Sequence, residues 1–157
     1  MSVTERLRSP APPWVHLLVL RGGTGLPAAP DGFVVRVVAG DACVTKSALM
    51  AELARVLEFP SYFGHNWDAL HDCLTDLAWL PAPGYTLLFT DAHAILRRRP
   101  ADYRAFLDVL ASAGESWATP QAQPDGRPAI PFHSVLAVPE ERTAARRDWR
   151  MPELMDF

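Results

Sequence analysis

The sequence predicts an α/β domain with a small, mainly parallel sheet, and three observations carry that prediction. From residue 33 onward, strand-like and helix-like segments follow as strand, helix, helix, strand, helix, strand, an order that sets parallel strands beside crossover helices. FVVRVV (33–38) is an almost unbroken β-branched run, the pattern of a strand covered on both faces and therefore central. KSALMAELARVL (46–57) places Leu49, Met50, Leu53, Val56 and Leu57 at the three-and-four spacing of one helical face.

The other elements read in order. Residues 1–13 are polar and then proline-rich (SPAPP), and are expected to form a flexible N-terminus. PWVHLLVL is an extra N-terminal strand, closed by the turn-rich RGGTGLPAAPDG. Those glycines do not form a phosphate loop, because Pro27 and Pro30 stand where the required helix would begin. Thr45 is a good N-cap for the 46–57 helix, and Pro60 ends it. A turn through Gly64 leads to a second helix, Asn66 to about Leu77. YTLLFT (85–90) is a strand, and residues 91–99 are read as a short helix stopped by Pro100. Residues 101–113 form a further helix with Tyr103, Phe106, Leu107 and Leu110 inward, and SVLAV (134–138) is the last strand. The expected organisation is one domain over 14–139, with a charged tail over 140–157.

Composition narrows the classes. A chain of 157 residues with 49% hydrophobic and 21% charged residues buries a core without metals or disulfides. The net charge of −3 does not point to a nucleic-acid binder, and the run Trp14–Leu20 is too short to span a membrane. Cys43 and Cys73 make neither a disulfide framework nor a zinc site, and read as buried thiols of a reducing, cytoplasmic compartment. No cofactor is expected. Charge is unevenly spread: residues 66–77 hold three Asp and no Lys or Arg, whereas 97–99 and 142–150 are Arg-rich.

The 66–77 helix has two opposed faces. At about 100° per residue, with Asp68 at zero, Asp72 falls near ~40°, Asp76 near ~80°, Thr75 near ~340° and His71 near ~300°. Cys73, Leu77, Leu70, Leu74 and Trp67 occupy roughly 140–260°. Asn66 is the N-cap, and Asp68 gains from the macrodipole that opposes Asp76. Like charges at i,i+4 oppose a helix by roughly 0.2–0.5 kcal/mol per pair, so local energetics do not account for the row. Either the strip is a solvated face that is simply acidic, or it is a docking surface for a cationic partner. Tyr62 and Phe63, just before the helix, are candidate aromatic anchors beside it, with core packing as the alternative for each and the stronger one for Phe63.

The stretch FPSYFGHNWDALHDCLTDL resembles the signature of the barstar family, intracellular inhibitors of the ribonuclease barnase. Pro60, Tyr62, Gly64, Asn66, Asp68, Ala69, Leu70, Asp72, Cys73, Leu74 and Thr75 all fit that pattern without a gap. The resemblance is dense over about twenty residues and architectural over roughly 33–138. It implies a barstar-like fold: a small parallel sheet packed with helices, here with an extra N-terminal strand and a C-terminal tail. It further implies that the helix and preceding loop plug a ribonuclease active site, with carboxylates in place of substrate phosphates.

Carried over by position, Tyr62, Asp68, Asp72 and Thr75 match contact positions, with Asp72 the dominant one. Asn66, His71 and Asp76 complete the expected partner-binding set. His71 stands where the family has Trp, and Asp76 and Leu77 replace a Gly-Trp pair, departures that leave the target's identity open. Asp102 is a candidate for the second acidic contact that the family draws from its later helix.

Two other readings stand beside an inhibitor or immunity protein against a secreted, toxin-type ribonuclease. One is a non-inhibitory interaction module on the same scaffold. The other, an enzyme using His65, His71, Asp68, Asp72 and Cys73, is disfavoured because Cys73 faces away from Asp68 and a convex helix offers no pocket. No catalytic or metal-binding residue is therefore assigned, and direct nucleic-acid binding by the Arg runs is not expected.

Overall fold

Strands β1 (Val15–Leu20), β2 (Val34–Ala39), β3 (Tyr85–Thr90) and β4 (Phe132–Pro139) pair in the order β1-β4-β3-β2, every pair parallel. The computed structural model describes residues 1–23, 25–121 and 126–155. Helices α1 (Val3–Arg8), α2 (Lys46–Val56), α3 (Trp67–Asp76) and α4 (Pro100–Ala118) complete the fold, with short 3-10 turns after β2, β3 and β4.

Side chains alternate across the sheet, so each strand feeds two clusters. Val15, Leu17 and Val19 of β1, Tyr85, Leu87 and Phe89 of β3, and Phe132, Leu136 and Val138 of β4 meet α2, α3 and α4 in the main core. The intervening Leu18, Leu88, Val135 and Ala137 point the other way, under Leu7 of α1 and Leu154 of the tail. The sheet thus has a thick helical layer on one face and a thin layer, made by the two chain ends, on the other.

Several expectations are met. Thr45 caps α2 by accepting from the Ala48 amide at 3.1 Å, and Leu49, Met50, Leu53 and Leu57 are buried. Tyr103, Phe106, Leu107 and Leu110 point inward from α4, and both cysteines are free and buried. Burial pushes the Cys43 thiol up to about 12, which leaves it unreactive.

Others are corrected. FVVRVV forms the edge strand, not a central one: among the described residues β2 pairs only with β3, and Val37 is 51% exposed. Arg36, mid-strand, carried the missed signal, since charge guards sheet edges. Its Nε donates to the Val56 carbonyl at 2.8 Å, folding the guanidinium onto α2.

Residues 91–99 are not a helix beyond a 3-10 turn over Ala92–Ala94. Asp91 and Leu96 adopt positive φ, and the Leu96 amide donates to the Cys43 carbonyl, which pins the buried Ile95–Leu96 pair to the core instead. Pro100 opens α4 as its first residue, where its missing N–H costs nothing, rather than ending the helix before it. α4 also runs past residue 113 to Ala118. At Gly114 within it, a Cβ would come within 2.3 Å of Trp14, so the glycine gives the indole room.

The N-terminus contains a helix where a flexible segment was expected. In α1 the Ser2 hydroxyl accepts from the Glu5 amide, and the Glu5 carboxylate accepts from the Ser2 amide. Six residues do not hold a helix alone; the fully buried Leu7 does. The tail packs as well. The Leu17 amide donates to Pro152 O and the Leu154 amide to Leu17 O, extending the sheet past β1. Trp149 is 8% exposed and accepts the Tyr103 hydroxyl on its carbonyl. Truncating it, Trp149→Ala, is expected to cost about 3–5 kcal/mol in urea unfolding, with one transition. A cost under about 1 kcal/mol would mean the tail is not part of the folded unit.

Two buried histidines tie this second layer to the sheet. His133 Nε2 contacts the Ser9 carbonyl at 2.6 Å, and a carbonyl only accepts, so Nε2 carries the hydrogen. His133 Nδ1 is then the acceptor, and His16 Nε2, 2.9 Å away, donates to it. Burial first, then the neighbouring imidazole and Arg6, push His16 down to about 3; His133 is lowered too, chiefly by burial. Their neutral forms support the fold fully above the unfolded value near 6.5. That support is lost as pH falls from there toward about 3, because the unfolded chain takes protons that the native state refuses. Unfolding free energy is expected to drop by about 2 kcal/mol between pH 7.5 and 5 from His16 alone. A flat profile across that interval would contradict the neutral buried pair.

Candidate functional site

The turn Phe59–Asn66 and helix α3 build the candidate surface. Phe63 is buried with its ring 4.8 Å from Phe59, while Tyr62 beside it is 71% exposed. Gly64 passes close beneath the start of the helix; a Cβ there would press on Asn66 Nδ2 at 3.3 Å and on Ala69 at 3.4 Å. Asn66 then caps α3, its Oδ1 accepting from the Ala69 amide at 2.8 Å while Nδ2 donates to the Gly64 carbonyl.

Leu70, Cys73 and Leu74 are buried, as is Leu77 just past the helix. α4 lies parallel alongside: the Trp67 and Phe106 rings are 6.5 Å apart, His71 Nε2 lies 2.9 Å from Ser112 Oγ, and Trp117 Nε1 donates to the Leu74 carbonyl at 2.7 Å. These contacts fix the helix rotation, so Asp68, Asp72 and Asp76 face outward. Among the described residues none of the three pairs with a Lys or Arg. The nearest cationic candidate is His71, whose Nδ1 is 3.9 Å from Asp72 Oδ1.

The seven sequence candidates divide by what they touch. Tyr62, Asp68 and Asp72 project into solvent with no hydrogen bond to a described residue from their side chains, apart from the His71 approach to Asp72. The Tyr62 phenol is raised above its ordinary range by partial desolvation first and then by Asp76 and Cys73, so Tyr62 belongs to the same electrostatic neighbourhood as the helix. Asp76 is exposed but also structural. Leu77 closes the helix in a left-handed conformation (φ 47°), and the Asp76 carboxylate accepts from the Ala78 amide at 3.2 Å. That bond supplies a local reason for a carboxylate at the end of the helix the macrodipole disfavours.

Thr75 is half-buried, and its hydroxyl hydrogen bonds back to the His71 carbonyl at 2.8 Å. His71 is turned onto α4 rather than outward. Asp102 lies apart: it pairs with Arg99 at 3.6 Å, one turn before the Phe106 that meets the first residue of α3. An acid that sequence reasoning missed is closer. Glu115 lines a shallow groove of about 400 Å³ between α3 and α4, with His71, Ser112 and Ser116. The expected helix stops at residue 113, short of this acid; extending the helical period past that residue would have found it.

A family model described as Barstar (barnase inhibitor) matches residues 33–137, more than half of the chain. This chain belongs to the barstar family. The matched region runs from the start of β2 into β4 and contains α2, α3 and α4, so the acidic face lies inside the barstar domain. α1, β1 and the tail lie outside it. The family is one of inhibitors rather than enzymes, and the partner it is named for is a ribonuclease. A search of curated proteins finds no match. Among the described residues no group of three or more His, Cys, Asp or Glu could hold a metal ion, and no helix is long and apolar enough to cross a membrane.

The cap can be tested without a partner. Asn66→Ala is expected to lower unfolding free energy by about 1 kcal/mol, with Asn66→Ser recovering most of the loss. Equal losses for the two variants would show that the side-chain oxygen is not what holds the first turn.

Proposed function

We propose that this protein blocks the active site of a cationic, toxin-type ribonuclease in the cytoplasm, acting as an inhibitor or immunity protein through the outer face of α3. The observation that carries the reading is that Asp68 and Asp72 are exposed and lack any Lys or Arg partner among the described residues, inside a barstar domain. A row of unneutralised carboxylates repels itself in the free protein and is relieved when a cationic cleft receives it. Tyr62, at one end of the row, offers a rigid aromatic contact at low entropic cost. Asp76 and Glu115 extend the same negative field, Asn66 caps the helix, His71 ties it to α4, and Thr75 stands on the same face with its hydroxyl bonded back to the His71 carbonyl.

A partner other than barnase, including one that is bound without being inhibited, is favoured by one observation. His71 is drawn onto Ser112 of α4, at a position where the family pattern has Trp.

Asp72→Ala should leave stability within about 0.5 kcal/mol, since the side chain is exposed. It should weaken binding to the cognate ribonuclease, sought first as the product of the neighbouring reading frame, by about 2–5 kcal/mol. That range reflects charge truncation at interfaces, for which barnase–barstar itself is a defining case. Calorimetry would read the loss, and unchanged affinity would remove α3 from the interface.

A further inference from the structure

A second surface lies outside the acidic face and involves parts of the chain that the barstar match does not cover. A groove of about 370 Å³ runs between residues 12–15, one strip of α4 and the tail at 150–152. Trp14, Leu107, Ala111 and Met151 give it an apolar lining, and Arg104, Arg150 and Asp108 stand on it as well. The strip of α4 used here differs from the one bearing Phe106, Ser112 and Trp117, which meets α3.

Both arginines are exposed, and neither side chain forms an ion pair with a described residue. Arg150 is also held in place. Its φ of 63° lies in the left-handed region that favours glycine, and the Asp148 carboxylate fixes it by accepting the Arg150 amide at 2.8 Å. The preceding Trp149 is buried and anchored through its carbonyl to the Tyr103 hydroxyl. That backbone conformation brings an exposed guanidinium to the side of the apolar groove.

We propose that this groove binds a small amphipathic monoanion, its carboxylate held by Arg104 and Arg150 and its aromatic or short acyl body lying on Trp14, Leu107 and Met151. Guanidinium forks match a carboxylate's two oxygens, and the volume suits a small organic body. Asp108 offsets one of the two cations, so the groove carries a net single positive charge and selects a monoanion over a polyanion. The proposal does not depend on the role assigned to α3.

The test follows the Trp14 indole N–H by NMR in the full chain, titrated to low-millimolar concentration with 2-naphthoate, octanoate and the neutral 2-naphthamide. Saturable shifts are expected with at least one carboxylate; naphthoate the tighter would identify an aromatic body, octanoate an acyl one. The amide is expected to bind roughly tenfold more weakly than naphthoate wherever naphthoate binds. The double variant Arg104→Gln/Arg150→Gly should lose a similar factor while remaining folded, because glycine accepts the left-handed backbone. Asp72→Ala should bind as the unmodified chain does. No saturable shift with either carboxylate, an amide as tight as naphthoate, or undiminished binding by the double variant would overturn the proposal.

Discussion

Leu70, Cys73 and Leu74 set the rotation of α3 about its own axis, and the orientation of the acidic face follows from that. Burying a large apolar side chain is worth about 1.5–3 kcal/mol, so the dry side of the helix contributes several kcal/mol. The two i,i+4 aspartate pairs oppose the helix by roughly 0.2–0.5 kcal/mol each. The burial term wins by a wide margin, and the row is carried without loss of the helix. α4 locks the result through Trp67–Phe106, His71–Ser112 and Trp117–Leu74. Any rotation exposing the leucines would also break the indole bond to the Leu74 carbonyl.

The segments outside the barstar match have a structural role. α1 and the tail cover the sheet face that α2, α3 and α4 leave bare, and residues 152–154 close the β1 edge with two backbone hydrogen bonds. At the opposite edge no described residue pairs beyond β2, and its Arg36 is folded onto α2. The His16–His133 pair crosses from β1 to β4 and ends on the Ser9 carbonyl, so the second layer is fastened by polar contacts as well as by Leu7 and Leu154.

Much of this was legible in the sequence because short-range physics decided it. The strands, the caps at Thr45 and Asn66, and the two-sided helix follow from period and side-chain type alone. What was misread depended on distant partners. The expected helix stops at residue 113, whereas α4 continues through Gly114, whose missing Cβ makes room for Trp14, a hundred residues earlier. Residues 91–99 have helical composition, but Leu96 is bonded to Cys43 across the core. FVVRVV is apolar enough for the centre of the sheet, yet its place at the edge was set by which crossovers the chain could make, with only Arg36 to betray it. In the site, outward and inward halves were correct, whereas the inward turn of His71 required knowing that Ser112 faces it.

Several of the chain's cations are engaged away from α3. Arg21 is engaged by Glu140 and Glu153, Arg36 by Glu58 and a carbonyl, Arg55 by Glu52, and Arg99 by Asp102. Arg127 lies 4.0 Å over the Trp117 ring, and Arg146 lies 3.7 Å over Tyr103, where burial lowers it from the ordinary arginine value. Lys46, the one lysine, sits over Trp67 at the start of α3 instead of reaching an aspartate. Stacked guanidiniums hold α4 and the tail, so part of what reads as a basic cluster in sequence is internal adhesive. Folding has used these cations elsewhere. The three aspartates of α3 are left without a Lys or Arg partner among the described residues.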